Sequence, residues 1–211
     1  MEHVFFKPWI GKNYQTGGIF GKKILVLGEG HVCGGCEQCG LKYASFCEEM
    51  DTTKTVQFYI DSNFSDEIEK GGWFNTYKKF ERSLINKETT PEDSKEIWDS
   101  ISFFNYLQVA MPTSRKAGTS KQYKESANAL YEVLEELQPD IMIVWGMQLF
   151  YHTPNERWTT GEELVYDGSE VKNGYYQLLN GKITRVIVVY HPSAGYSWDW
   201  WYKVIKNEID K

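Results

Sequence analysis

Short apolar runs alternate with amphipathic stretches along this chain. The runs are rich in Val, Ile and Leu and are bounded by glycine or polar residues, a pattern typical of strands buried on both faces. They predict strands at 23–27, 141–145 and 184–190. A fourth predicted strand, 101–109, is stopped by Pro112.

The stretches between these strands carry apolar residues every three or four positions, which places the apolar side chains on one face of a helix. The clearest predicted helix spans 121–137. Thr90 followed by Pro91 is typical of a helix start, because threonine caps the first turn and proline fits it. This helix is expected to run to about Ser100. Further helices are predicted at 46–60, at 68–84, at 147–151 and after a capping Ser197.

Two segments lack this periodicity. Residues 1–22 predict an irregular lead-in, and the polar residues 152–182 predict turns with a hairpin around Asn180 and Gly181. Strands that alternate with helices predict an α/β fold with three α/β/α layers and a central, mainly parallel sheet. Since no repeat or low-complexity linker divides the chain, we expect one domain over 1–211, with a Cys-rich loop at 30–47.

The charge and the aromatic content of the chain bear on which kinds of molecule it can bind. A net charge of −6 and a pI near 5.3 disfavour broad attraction to nucleic acid but leave room for a local nucleotide or base site. The aromatic content of 16% adds candidate stacking surfaces. No secretory signal is visible and no apolar run approaches the roughly 18 residues that span a bilayer. We therefore expect a cytoplasmic, monomeric protein without a membrane partner.

Polar clusters follow three of the predicted strands. The first predicted strand is followed by Gly28, Glu29 and Gly30, and the last is followed by His191. The polar residue Asn105 lies within the predicted strand 101–109. The carboxyl ends of parallel strands form one edge of an open sheet, and ligands bind in the crevice there. The three clusters together therefore predict an active site at that edge.

The order of these clusters resembles the uracil-DNA glycosylase superfamily. Its members carry a glycine motif after the first core strand, a strand with an asparagine, a strand followed by glycine, and a His-Pro-Ser motif. The matching positions here are 28–30, 104–106, 144–146 and 191–194. The residues in these motifs are most similar to those of the iron–sulfur branch of the superfamily. The resemblance implies a uracil-DNA glycosylase-like fold and a DNA repair hydrolase that cleaves the N-glycosidic bond of uracil or a related damaged base.

The resemblance also implies roles for single residues. His191 would stabilise the negative charge on the departing base through a preorganised hydrogen bond. Asn105 would recognise a pyrimidine edge with one donor and one acceptor. Glu29 would orient or deprotonate the attacking water. An aromatic ring after the first motif would stack on the extruded base, and Tyr43 and Phe46 are the two candidates.

Other residues would surround the base and the DNA strand. The glycines of the first motif, Gly28 and Gly30, would border the base. A rigid turn after the histidine would approach a phosphate, and an aromatic residue would act as a wedge that props open a duplex. The corresponding residues are Pro192 and Ser193 for the phosphate and Trp198 or Tyr196 for the wedge.

Two departures from the family pattern keep a second hypothesis open. Gly30 stands where the most active branch has a water-activating aspartate, and His31 replaces a common proline. The alternative is a weakly active or inactive member of the same fold that binds a nucleobase or nucleic acid and carries a structural metal site. On either hypothesis the partner is DNA or a nucleobase-containing ligand.

All four cysteines lie within 15 positions and form a C-x2-C-x2-C-x7-C pattern: Cys33, Cys36, Cys39 and Cys47. Four thiols at this spacing predict a structural zinc site. An iron–sulfur cluster and four unligated thiols are the alternatives, and His31 could replace one cysteine as a ligand. A closed four-Cys site has no open coordination position, so we expect no metal to be required for catalysis.

Overall fold

The computed structural model describes residues 1–33, 37, 39–40, 52–114 and 116–211, and it contains a mixed seven-stranded sheet with helices. The strands are β1 Trp9–Ile10, β2 Ile24–Gly28, β3 Ser102–Asn105, β4 Ile141–Trp145, β5 Trp158–Thr160, β6 Val165–Tyr166, β7 Ser169–Glu170, β8 Asn173–Gln177 and β9 Ile183–Val189. The helices are α1 Thr52–Asn63, α2 Gly72–Ile85, α3 Pro91–Ser100, α4 Ser120–Leu137, α5 Met147–His152 and α6 Trp198–Ile209. Two short 3₁₀ helices, Tyr14–Thr16 and Gly18–Phe20, precede β2.

The sheet has the order β1-β3-β2-β4-β9-β8-β5. The four central strands β3, β2, β4 and β9 are parallel, whereas β1, β8 and β5 join antiparallel at the two sides. This confirms the predicted α/β class with a mainly parallel centre. It also brings the carboxyl ends of the four central strands to one edge of the sheet.

Helices cover both faces of the sheet. Alternate residues of each strand point to opposite faces, so each strand packs against helices on both sides. In β2, Ile24 and Val26 pack in a core with α1, α2, α3 and α6. Leu25 and Leu27 belong to a second core, which α4 and α5 line from the other side. A strand buried on both faces needs apolar residues at every position, which explains the uninterrupted apolar run.

Helix starts follow the capping residues of the sequence. The Thr90 hydroxyl accepts a hydrogen bond from the Asp93 backbone N–H, and the Asp93 carboxylate accepts one from the Thr90 backbone N–H, so α3 begins at Pro91 as predicted. Thr119 and Gln122 form the same capping box at the start of α4. Of the predicted helix 46–60, the described part begins at Thr52.

The second predicted strand is shorter than expected. It spans four residues and ends at Asn105 rather than near Val109. The chain turns there because the side-chain amide of Gln108 donates to the carbonyls of Asn105 and Tyr106. The turn leaves Asn105 as the last strand residue, at the edge of the sheet.

Both segments without periodicity contain strands. β1 lies in the predicted lead-in, and residues 152–182 supply β5 to β8. The predicted turn at Gly181 joins β8 to β9, with Gly181 at φ 86°. Ser197 precedes α6, but its hydroxyl donates to the Asp199 carboxylate instead of capping the helix backbone. Within the described residues, no helix has both the length and the apolar character needed to span a bilayer.

Candidate active site

A cavity of about 880 Å³ lies at the carboxyl edge of the central strands. Six residues predicted for the site line it together: Gly28, Glu29, Gly30, Asn105, His191 and Ser193. They come from the ends of β2, β3 and β9, which are far apart in sequence. No described residue from 152–182 lines this cavity.

Gly28 permits the close approach of β2 to β3. Gly28 and Asn105 are direct partners in the parallel register. A Cβ atom on residue 28 would lie 2.5 Å from Asn105 Oδ1 and 2.8 Å from Phe103 Cζ. Since real Cβ atoms do not approach so closely, the absence of a side chain at Gly28 sets where the Asn105 amide can lie.

Asn105 is buried, and its side chain contacts His31. Asn105 Nδ2 lies 3.2 Å from His31 Nε2 and 3.3 Å from His31 Nδ1. His31 is itself buried, with Nε2 at 2.9 Å from Thr52 Oγ1 and its ring edge-on to Phe6. The His31 side chain thus contacts the predicted base-recognition residue, a role that the sequence pattern left open.

Glu29 is held from the opposite side of the sheet. The hydroxyl of Tyr123, on α4, donates a hydrogen bond to Glu29 Oε1. Tyr123 stacks on His152 with ring centroids 3.9 Å apart, which fixes the phenol. Burial, together with the bond to Glu29, raises the pKa of Tyr123 well above its usual value, so the phenol keeps its proton and stays a donor.

The geometry around His191 specifies its tautomer. The backbone N–H of Ser193 donates to His191 Nδ1 at 3.2 Å, and Ser193 Oγ lies 2.7 Å from the same atom. A backbone N–H can only donate, so Nδ1 carries no proton and Nε2 carries it in the neutral ring. Burial lowers the pKa of His191, against an opposing effect of Glu29, and this favours the neutral form.

Aromatic side chains form one wall of the cavity. Phe103 and Trp145 lie on strands β3 and β4, whereas Phe58, Trp73 and Tyr77 lie on helices α1 and α2. The motifs of the sequence did not point to these five residues. Phe58 could have been noticed in the sequence. It does not lie on the face of α1 that is buried at Val56, Tyr59 and Ile60, so packing in the core does not explain an aromatic residue at this position.

The residues predicted for DNA contact are distributed differently. Ser193 is exposed and lines the cavity, whereas Pro192 is buried. Tyr196 is also buried, because its ring stacks on Trp201 and its hydroxyl bonds to Ser83. This corrects the expectation that Tyr196 could reach DNA. Trp198 is half-buried against the same core as Trp201.

Several predicted positions fall outside the described residues, namely Tyr43, Phe46, Cys36 and Cys47. Cys33 and Cys39 are described and half-buried, and the backbone of Cys33 donates to the carbonyl of Met111. Among the residues that the structure describes, no three His, Cys, Asp or Glu side chains are grouped as a metal site. The zinc and iron–sulfur hypotheses therefore stay predictions from the sequence.

A carboxylate, a carboxamide and a neutral imidazole thus face one cavity with aromatic walls. This set supplies a base or anionic stabiliser, a bidentate recognition group and a hydrogen-bond donor. The chain matches no protein-family model and has no significant match among curated proteins.

Proposed function

We propose that this protein is a hydrolase that cleaves the N-glycosidic bond of uracil or a related damaged base in DNA. The observation that carries the proposal is the convergence of Glu29, Asn105 and His191 on one cavity at the carboxyl edge of the sheet. We further propose a uracil-DNA glycosylase-like fold. The parallel order β3-β2-β4-β9, with one family-like motif at the end of each strand, supports it.

Cleavage of the glycosidic bond builds negative charge on the departing base. In the proposed mechanism the Nε2–H group of neutral His191 donates to that charge. Ser193 supports this role because it holds Nδ1 as an acceptor and leaves the proton on Nε2. A donor oriented before the reaction needs no reorganisation, and such a donor is worth about 3–4 kcal/mol in comparable sites.

Glu29 and Asn105 act on the other two partners of the reaction. The sugar gains positive character as the bond breaks, and the Glu29 carboxylate stabilises it or takes a proton from the attacking water. Asn105 offers one acceptor and one donor to the edge of the base. Its position next to Gly28 places its amide against the end of β2 in the cavity lining.

The test is base release from labelled oligonucleotides that carry uracil or a related lesion, in single and double strands. We expect release by the wild-type protein and a loss of about 100- to 1,000-fold in His191→Ala, since one preorganised donor is removed. The matched control is His3→Ala, because His3 pairs with Glu132 on α4 and does not line the cavity. No release by folded wild-type protein from any substrate would contradict the proposal, as would equal activity in His191→Ala.

A binding protein of the same fold is the second candidate. It is favoured by the contacts that engage two groups of the site with other side chains: Asn105 Nδ2 with His31 and Glu29 with Tyr123. A ligand must displace or share these contacts. Tight binding of uracil-containing strands by wild-type protein without base release would support this candidate over the enzyme.

A further inference from the structure

The aromatic wall of the cavity changes from buried to exposed along its length. Phe103 and Trp145 are almost fully buried beside the strand ends, and Tyr77 is 9% exposed. Trp73 is 37% exposed and Phe58 is 50% exposed. The wall thus continues from the catalytic end of the cavity to a rim on the helices α1 and α2.

Ring contacts connect the two ends of this wall. The His191 ring is edge-on to Trp145 at 6.0 Å between centroids, and Tyr77 is edge-on to Trp145 at 5.8 Å. Trp73 follows at 6.4 Å from Tyr77, and Phe58 stacks on Trp73 at 5.5 Å with an interplanar angle of 28°. Three rings, those of Trp145, Tyr77 and Trp73, therefore lie between His191 and Phe58 in this series of contacts.

The size of the cavity also exceeds what one base requires. Its volume of about 880 Å³ lies near the top of the range of roughly 300–1,000 Å³ that is typical of pockets for drug-sized ligands. A single pyrimidine is much smaller than such a ligand. The rim half of the cavity therefore has room for a second planar group.

Two lysines also line the cavity, and lysine is a residue that binds strand phosphates. Lys54 precedes Phe58 by four residues on α1, so both side chains lie on the same face of the helix. Lys116 lines the cavity as well. Among the described lining residues, Glu29 is the single carboxylate against these two ammonium groups. Two ammonium groups thus line this cavity on a chain whose net charge is −6.

We propose that Phe58 and Trp73 form a second base-binding subsite, at which the nucleobase next to the excised one stacks while Lys54 lies beside a strand phosphate. This inference rests on the proposed function for the location of the first base. Exposed aromatic rings beside cations are the usual means by which proteins hold single strands, since every base has a face on which to stack. The subsite makes a single-stranded or locally opened strand the preferred substrate.

The test is a double-mutant cycle between the protein and the strand, measured by fluorescence anisotropy. The probe is a short labelled single strand with one 2′-fluorinated deoxyuridine, which resists cleavage, and with either a normal or an abasic nucleotide next to it. Removal of the neighbouring base on one side of the uracil is expected to weaken wild-type binding about 5- to 150-fold. Trp73→Ala is expected to weaken binding of the intact strand similarly and to be insensitive to removal of that base.

Phe58→Ala serves as the second variant if Trp73→Ala does not fold. Phe64→Ala is the matched control, because Phe64 is 54% exposed just beyond α1 but does not line the cavity. The subsite would be overturned if the loss of affinity from the side-chain substitution and the loss from removal of the neighbouring base were additive, whichever side of the uracil that base is on. Absence of any binding of the strand would overturn it as well. Base release measured in parallel separates the two proposals. Coupling between the side chain and the neighbouring base without base release would support the subsite and contradict the proposed hydrolase. Base release without such coupling would support the hydrolase and contradict the subsite.

Discussion

The phenol of Tyr123 donates a hydrogen bond to the carboxylate of Glu29, across the boundary between helix α4 and the end of strand β2. The two residues are 94 positions apart in sequence. Tyr123 is fixed in turn by its stack on His152. Glu29 is thus held by a neutral donor that keeps its proton.

Tyr123→Phe removes this hydrogen bond and keeps the aromatic stack. We expect kcat for base release to fall about 10- to 100-fold, because a misplaced catalytic group costs rate. KM is expected to change little, since Glu29 acts on the sugar or the water, and not on the base, in the proposed mechanism. The free energy of unfolding is expected to fall by about 0.5–1.5 kcal/mol. Tyr131→Phe is the control, because Tyr131 lies on the same helix as Tyr123 and its hydroxyl donates to Glu156, outside the cavity. A rise in KM with unchanged kcat would contradict this role of Tyr123.

The pH dependence of base release reports on His191. Burial lowers the pKa of His191 below the ordinary histidine value of about 6.5, so the neutral ring persists as the pH falls through that value. The proposed mechanism needs the neutral form, and kcat should therefore stay constant through pH 6.5 and fall only at lower pH. Measurement of kcat from pH 4 to 9 checks this expectation. An increase in kcat as the pH falls through 6.5 would show instead that the imidazolium is the active form.

Gly28→Ala tests the packing between β2 and β3. The new Cβ would lie 2.5 Å from Asn105 Oδ1, so Asn105 and its strand must shift, at a cost of about 1–3 kcal/mol in the free energy of unfolding. We expect base release to fall together with stability. Gly72→Ala is the control for stability, because a Cβ there meets no atom within 4 Å. Chemical denaturation of both variants provides the measurement, and equal stability for the two would contradict the argument.

Asn105→Ala tests recognition of the base. Loss of a two-bond contact is worth about 1–3 kcal/mol, so kcat/KM on uracil should fall about 5- to 150-fold. An analogue of the base without hydrogen-bonding groups on that edge should be cleaved equally by the variant and the wild type. Asn207→Ala is the control, since Asn207 pairs with Tyr166 outside the cavity. Equal losses on both bases would assign Asn105 a structural role instead.

The cysteine pattern predicts a bound metal. Elemental analysis of purified protein should find zinc, or iron with a visible absorption band if the cluster is iron–sulfur. Cys36→Ser should lose that metal and unfold roughly 5–10 °C earlier, because metal binding contributes folding energy. Ser45→Ala, in the same predicted loop, is the control. Metal-free wild-type protein with the same melting temperature as Cys36→Ser would leave four unligated thiols as the explanation.

Local chemistry made much of the fold predictable. Thr90 and Pro91 specify the start of α3 through contacts between residues adjacent in sequence. The apolar run that ends at Gly28 specifies a buried strand. The short strand β1 and the turn after Asn105 were not predictable in this way. Trp9 is held in β1 by pairing with Phe103, and the turn is held by the side chain of Gln108, contacts that local periodicity does not encode.

The candidate site divides in the same manner. The sequence by itself determined which residue types follow the strands, and hence the set of Glu29, Asn105 and His191, because strand ends are marked by local polarity changes. Only the tertiary structure decided their partners: Tyr123 for Glu29, His31 for Asn105 and the outer rings Phe58 and Trp73 for the cavity wall. Apart from the neighbouring Ser193, such partners come from other elements, and their positions depend on how helices pack on the sheet rather than on spacing along the chain.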